Sequence, residues 1–195
     1  MIGKQAKILK KRDLERMLDY VEDTTYPERN KVMVLLSLKA GLRAKEIASL
    51  TWEMVTTAAG EISNEIHLPY QAAKGKSGRI LPMHKELKEA LEILRVVHPR
   101  PQGFKANVVF SKQGTRMHPC NVVHWFEKVF KALGLQGCSS HSGRRTFITQ
   151  AARKVSGVGG SLRDVQALAG HSSLSLTQRY VDANTEAQRA LIDLL

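Results

Sequence analysis

Apolar residues in this chain recur at helical spacing nearly throughout, with one interruption between Glu61 and Pro82 where the period changes. That switch constrains the fold most, because a helical chain broken by one pair of short strands predicts an α+β domain, mostly helical, with a small antiparallel sheet. Before the switch, Asp13 is placed to cap a helix carrying Leu14, Met17, Leu18 and Val21 on one face. VMVLLSLKAGLRAKEIASLTWEMV then reads as a strongly apolar helix from about Asn30, a break at Gly41, and a second helix carrying Ile47, Leu50 and Trp52. Within the interruption, EISNEIHLPY and RILPM read as strands joined through QAAKGKSG, which puts Lys74 and Lys76 near a hairpin tip.

After the switch, HKELKEALEILRVVH predicts a helix with Leu87, Leu91 and Leu94 on one side, ended by Pro99 and Pro101. NVVFSKQGTRM reads as a short buried strand and turn. Pro119 opens a helix burying Val122, Val123, Trp125, Phe126, Val129, Phe130 and Leu133, and the helical spacing of these aromatics marks them as core rather than a base-stacking platform. Ser139 is placed to cap a helix in HSGRRTFITQAARK that buries Phe147, Ile148 and Ala151, and LRDVQALAG forms another short helix ending at Gly170.

The 195 residues suffice for one domain with its own core, read as a single unit over 1–195. Lys and Arg outnumber Asp and Glu by 30 to 18, a formal charge of +12, which points to a polyanionic partner and most often nucleic acid. Two cysteines are too few for a disulfide framework and fit a reduced cytoplasm; the basic N-terminus lacks a signal-peptide core, and no stretch approaches a membrane span. Cys120, His124, Cys138 and His141 stand in an order that is not a standard zinc-finger pattern, in a domain whose size removes the need for a folding metal.

The residues with chemistry collect at helix ends. Arg43 opens a helix, where the dipole disfavours a cation unless an anion is bound there, and Glu46 follows on the same face, close enough to orient its guanidinium. His141 and Arg144 share a face at another helix start, with Arg145 beside them, a plausible oxyanion pocket. Tyr180 ends a short helical pattern after the turn at His171, and a phenol held beside Arg and His suggests phosphate chemistry.

These residues resemble the catalytic domain of the tyrosine recombinases, the phage-integrase family. AGLRAKEIASLTW looks like the family's first box, with Arg43 and its supporting acid Glu46; AKGKSGRILPM is similar to its lysine hairpin, with Lys74 as the catalytic lysine. HSGRRTF matches the H-x-x-R box at His141 and Arg144, LAGHSS matches the box at His171, and Tyr180 falls nine residues beyond it, where the nucleophile stands. Two departures stand out: Gly143 replaces the leucine usual before the box arginine, and the family's N-terminal core-binding domain is expected to be absent, since the first box begins near residue 40.

The resemblance implies cleavage and rejoining of double-stranded DNA through a 3′-phosphotyrosine on Tyr180, without metal, ATP or any cofactor. It also implies Lys76, Arg79, Arg145 and Arg179 as DNA contacts, recombination sites with inverted arms, and a tetramer on DNA, in the cytoplasm of a bacterium. The tail TEAQRALIDLL, apolar through Leu191, Leu194 and Leu195, would dock on a neighbouring protomer or pack on its own core. Two other functions fit parts of the same sequence. LRDVQALAGHSSLSLTQRYVD also resembles the helix-turn-helix of non-enzymatic repressors, and a type IB topoisomerase-like enzyme would share the cleavage step.

Overall fold

The fold is assembled around one helix, α2 (Pro27–Lys39), in which every residue from Val32 to Leu38 is buried. A helix apolar on all sides has to be enclosed by others. In the computed structural model, which describes residues 6–69, 78–97, 103–181 and 192–193, α2 packs against α1 (Lys11–Glu22), α3 (Ala44–Ser49), α4 (Lys85–Val97) and α6 (Ser142–Lys154). The helix α5 (Pro119–Ala132) lies against α3, and α7 (Leu162–Ala169) and α8 (Leu174–Gln178) follow α6. No helix among the described residues is long and apolar enough to cross a membrane.

Two short strands, β1 (Glu65–Leu68) and β2 (Arg79–Pro82), pair antiparallel with Ile66 opposite Leu81 and Leu68 opposite Arg79. Ile66, Leu68 and Leu81 face inward, so the sheet covers the core with one face only. The connection over residues 70–77, with Lys74 and Lys76, lies outside the described residues, as do Leu191, Leu194 and Leu195 of the tail.

Local chemistry moves several expected boundaries. Asp13 is not the cap of α1; it sits in the first turn and accepts the Lys10 N–H at 2.8 Å, so the helix begins two residues earlier. Ser139 does not cap α6 either: His141 holds the N-cap position. Val108, Val109 and Phe110 are buried as expected, but the stretch makes isolated bridges at its ends, Asn107 with Thr51 and Phe110 with Arg116, rather than a strand. In α5, Val123 and Trp125 are half-buried flank positions, and in α6 the buried face is Gly143, Arg144, Thr146, Ile148 and Thr149, with Phe147 and Ala151 at its edge.

The burial of Gly143 explains why no leucine precedes Arg144. A Cβ built on Gly143 would lie 2.1 Å from Ser37 Oγ and 2.9 Å from Ser37 Cβ, so the missing side chain is what lets α6 approach α2. Besides the main core, Ile148, Val165 and Ala169 form a smaller one, with Phe147, Ala151, Val155 and Tyr180 packed against it. This second cluster supports the chemistry described below.

Gly143→Ala is therefore expected to destabilise the protein by about 1–3 kcal/mol through overpacking, against alanine's better helix propensity. In urea unfolding, combining it with Ser37→Gly should cost less than the two single losses together, because the second change removes the atoms that clash.

Candidate active site

Arg43 precedes α3 with extended backbone, and the carboxylate of Glu46 reaches back to it. The Arg43 backbone N–H donates to Glu46 Oε2 at 2.8 Å, and Arg43 Nη1 donates to Oε1 at 3.0 Å. Arg79, the first residue of β2, completes the arrangement: Nη1 donates to Oε1 at 3.0 Å and Nη2 to Oε2 at 3.2 Å. Each carboxylate oxygen thus receives two donors, which uses the four lone-pair directions of an ionised carboxylate. Glu46 has no solvent exposure, and burial alone would push its carboxyl up; the bonds and charges of Arg79 and Arg43 overcome that and hold it below the usual range.

Arg144 enters from the first turn of α6 and is 5% exposed. Its Nη1 donates to the Gly41 carbonyl at 2.7 Å and its Nη2 to the Ala169 carbonyl at 2.5 Å, so one guanidinium joins the turn before α3 to the end of α7. Burial, with the neighbouring charge of Arg43, lowers its pKa to about 10, which leaves it protonated at neutral pH.

The end of α7 sets the next residue. Gly170 takes the left-handed conformation at φ +60, and the His171 N–H returns to the Gln166 carbonyl at 3.1 Å, an arrangement that turns the chain sharply out of the helix. The Gln166 amide donates to the His171 carbonyl at 3.1 Å, and His171 Nδ1 lies 3.0 Å from the buried Thr177 Oγ1. The backbone and the ring of His171 are thus each held, and Tyr180 stacks on the imidazole with ring centroids 5.6 Å apart and planes at 25°. Burial first, then the fields of Arg144, Arg43 and Arg79, lower the His171 pKa to about 4.

Arg43, His141, Arg144, Arg145, His171 and Tyr180 line one cleft of 340 Å³, with Ala6 and Ser139 completing its rim. A larger recess of 620 Å³ lies beside the sheet against Met54, Leu68 and Ile80, but of its charged residues Arg79 is committed to Glu46. Convergence rather than size selects the smaller cleft as the reactive one. Three guanidiniums, of Arg43, Arg144 and Arg145, line it, and no carboxylate does among the described residues, so the cleft is built for an anion.

Not every expected contact lies where the sequence suggested. Arg79 was expected to touch DNA, yet its side chain is 6% exposed and committed to Glu46, with Nε donating to the Leu168 carbonyl at 3.1 Å. Period-two alternation carried the signal: residue 79 shares the inward face of β2 with Leu81. Arg145 lines the cleft and donates from Nη1 to the Ala6 carbonyl at 3.0 Å, holding the N-terminal segment against α6. Arg179 is exposed at the end of α8, and Lys74 and Lys76 lie outside the described residues. Thr177 and the carbonyls of Gly41 and Ala169 were missed, because backbone acceptors and a lone threonine carry no sequence signature.

In the free protein His171 should remain neutral down to about pH 4. The neutral ring is the form the fold prefers, so its contribution to stability is present above the unfolded value near 6.5 and is lost as pH falls toward 4. NMR titration of the ring should show this low midpoint, and inorganic phosphate in the cleft should raise it by offsetting the guanidinium charges.

A match to the phage integrase family spans residues 7–187. Tyrosine recombinase XerC of Rhizobium meliloti (strain 1021) is 29% identical over 165 residues, covering 84% of this chain and 48% of the relative. XerC of Thermodesulfovibrio yellowstonii is 30% identical over 167 residues, covering 82% of this chain and 52% of the relative, so the chain spans about half the length of both. Among solved structures, the Tn1549 transposon integrase in complex with a circular intermediate DNA superposes with a TM-score of 0.74 at 19% identity, covering 100% of this chain and 67% of that one. With the family match running over nearly its whole length, the chain belongs to the phage integrase family.

Proposed function

We propose that this chain cleaves and rejoins DNA at specific sites through a covalent 3′-phosphotyrosine on Tyr180. The observation that carries the reading is the single cleft in which Tyr180, Arg43, Arg144, His171 and His141 meet. A phosphodiester resists attack through its negative charge and its poor alkoxide leaving group. Arg43 and Arg144 answer the charge: their guanidiniums are held by Glu46 and by backbone carbonyls, and remaining N–H groups are left for two phosphate oxygens. Because these donors are fixed before substrate arrives, little reorganisation is required as charge builds in the transition state.

The Tyr180 Oη attacks phosphorus, His141 takes its proton, and the bond from phosphorus to the 5′ oxygen breaks. Lys74 supplies the proton to that leaving oxygen. With the Thr177 hydroxyl donating to Nδ1, neutral His171 keeps its Nε2–H as a donor to a phosphate oxygen. The phosphotyrosine keeps the energy of the broken bond, so a 5′-hydroxyl from another strand reseals the junction without ATP, and the arginines take the neutralising role a metal would otherwise fill.

The Tn1549 integrase with its DNA and the named XerC recombinases support a duplex DNA substrate. Inverted-arm sites and a tetramer on two duplexes belong to the same proposal, as does phosphate contact by Lys76, Arg145 and Arg179. The repressor-like alternative is less well supported: α8 has only five residues, its Thr177 is buried, and Tyr180 packs on the second core instead of extending a recognition helix.

On a nicked suicide duplex carrying the correct site, with chelator present and ATP absent, the wild-type protein should form an adduct that survives a denaturing gel. Tyr180→Phe should form none, and Arg43→Ala should lower the single-turnover rate by about 10²–10³-fold. Binding of the correct site without an adduct contradicts the reading, and relaxation of arbitrary plasmid redirects it toward a topoisomerase-like activity.

A further inference from the structure

Arg79 is a buried charge beside the cleft for which the proposed reaction has no direct use. All three of its nitrogens are engaged: Nη1 and Nη2 on the two oxygens of Glu46, at 3.0 and 3.2 Å, and Nε on the Leu168 carbonyl, at 3.1 Å. The guanidinium also lies against Gly170, where a Cβ would fall 2.9 Å from Nη1 and 3.0 Å from Cδ. Arg144 donates to the very next carbonyl, Ala169. Two arginines from different elements therefore hold consecutive carbonyls at the end of α7, with Gly170 between them and His171.

We infer that Arg79 is a positioning residue that sets the aim of Arg43 through Glu46 and the place of His171 through Leu168 and Gly170. The catalytic part of this inference rests on the function proposed above. A guanidinium suits the task because its planar fork meets a carboxylate with two parallel bonds while Nε reaches a third acceptor, a geometry the single ammonium of lysine cannot reproduce. Cations at a helix C-terminus are also electrostatically favoured, so the α7 carbonyls are natural acceptors.

The role differs from a DNA contact in ways that can be measured. An exposed phosphate-binding arginine would, when removed, weaken binding and reduce its salt dependence by about one counterion. A positioning residue leaves binding nearly unchanged and slows the chemical step, because small displacements of catalytic groups cost rate steeply.

The test compares Arg79→Gln, which removes the charge, with wild type in three measurements: affinity and its salt slope on intact duplex, single-turnover adduct formation at saturating suicide substrate, and NMR titration of the His171 ring without DNA. The expected result is affinity within about twofold, adduct formation slowed by about ten- to a hundredfold, and displaced His171 resonances. Should Arg79→Gln not fold, Arg79→Lys, which keeps the charge but not the planar fork, should show the same slowed adduct formation and displaced His171 resonances. Lowered affinity and salt slope with an unchanged adduct rate would overturn the inference in favour of a DNA contact. An unchanged rate with unmoved His171 resonances would reduce Arg79 to a stabilising ion pair. If the wild type forms no adduct, the proposed reaction fails, and the His171 measurement still decides whether Arg79 positions that ring.

Discussion

A carboxylate with no access to water holds this site together. Glu46 is enclosed by the Arg43 backbone N–H, the Arg43 guanidinium and both terminal nitrogens of Arg79. Burying a charge costs several kcal/mol unless its partners satisfy it, and removing one member of such a set typically costs about 3–5 kcal/mol. The ion pairs are weak evidence for stability in general, but strong evidence for geometry, because any rotation of Glu46 breaks bonds to two separate elements at once. A flexible arginine at the mouth of a short helix thereby becomes a fixed one.

The rest of the fold makes that enclosure possible. Burial of α2 on all sides gives a rigid axis, and Gly143 lets α6 approach it closely enough for Arg144 to reach both the Gly41 and Ala169 carbonyls. Those carbonyls belong to chain segments separated by more than a hundred residues, so one side chain locks two remote turns into register. Downstream, the small core of Ile148, Val165 and Ala169 carries Tyr180 and keeps its ring stacked on His171. Arg144 and Tyr180 thus reach the same cleft from separately packed parts of the fold.

Much of this was legible in the residues. Helical spacing located α4 and α5 to within a residue or two, and the single change of period located the sheet and the pairing of its strands. Arg43, Glu46, His141, Arg144, His171 and Tyr180 were each visible as a charged or aromatic group at a helix end, and the cleft contains or borders all of them. The role of Arg79 was not, because an arginine beside a lysine-rich turn in a basic chain reads as a surface contact. Only the inward alternation of β2 distinguishes it. Gly143 looked like a defect in a motif because the contact that requires it, Ser37, lies on a helix far away in sequence. Caps were displaced by a few residues where a side chain in the first turn, as with Asp13, satisfied the helix start as well as a preceding residue would.

The most direct test of this account is the titration of the Glu46 carboxyl itself, followed by carbon NMR as the pH is lowered. Bonds from Arg79 and Arg43 outweigh the cost of burial, so the group should stay ionised below the ordinary glutamate value near 4.3. Its contribution to stability should accordingly be full above that value and be lost as pH falls through the lower, folded one. A midpoint at or above the ordinary value would mean that burial prevails over those bonds and that the site is held together by something else.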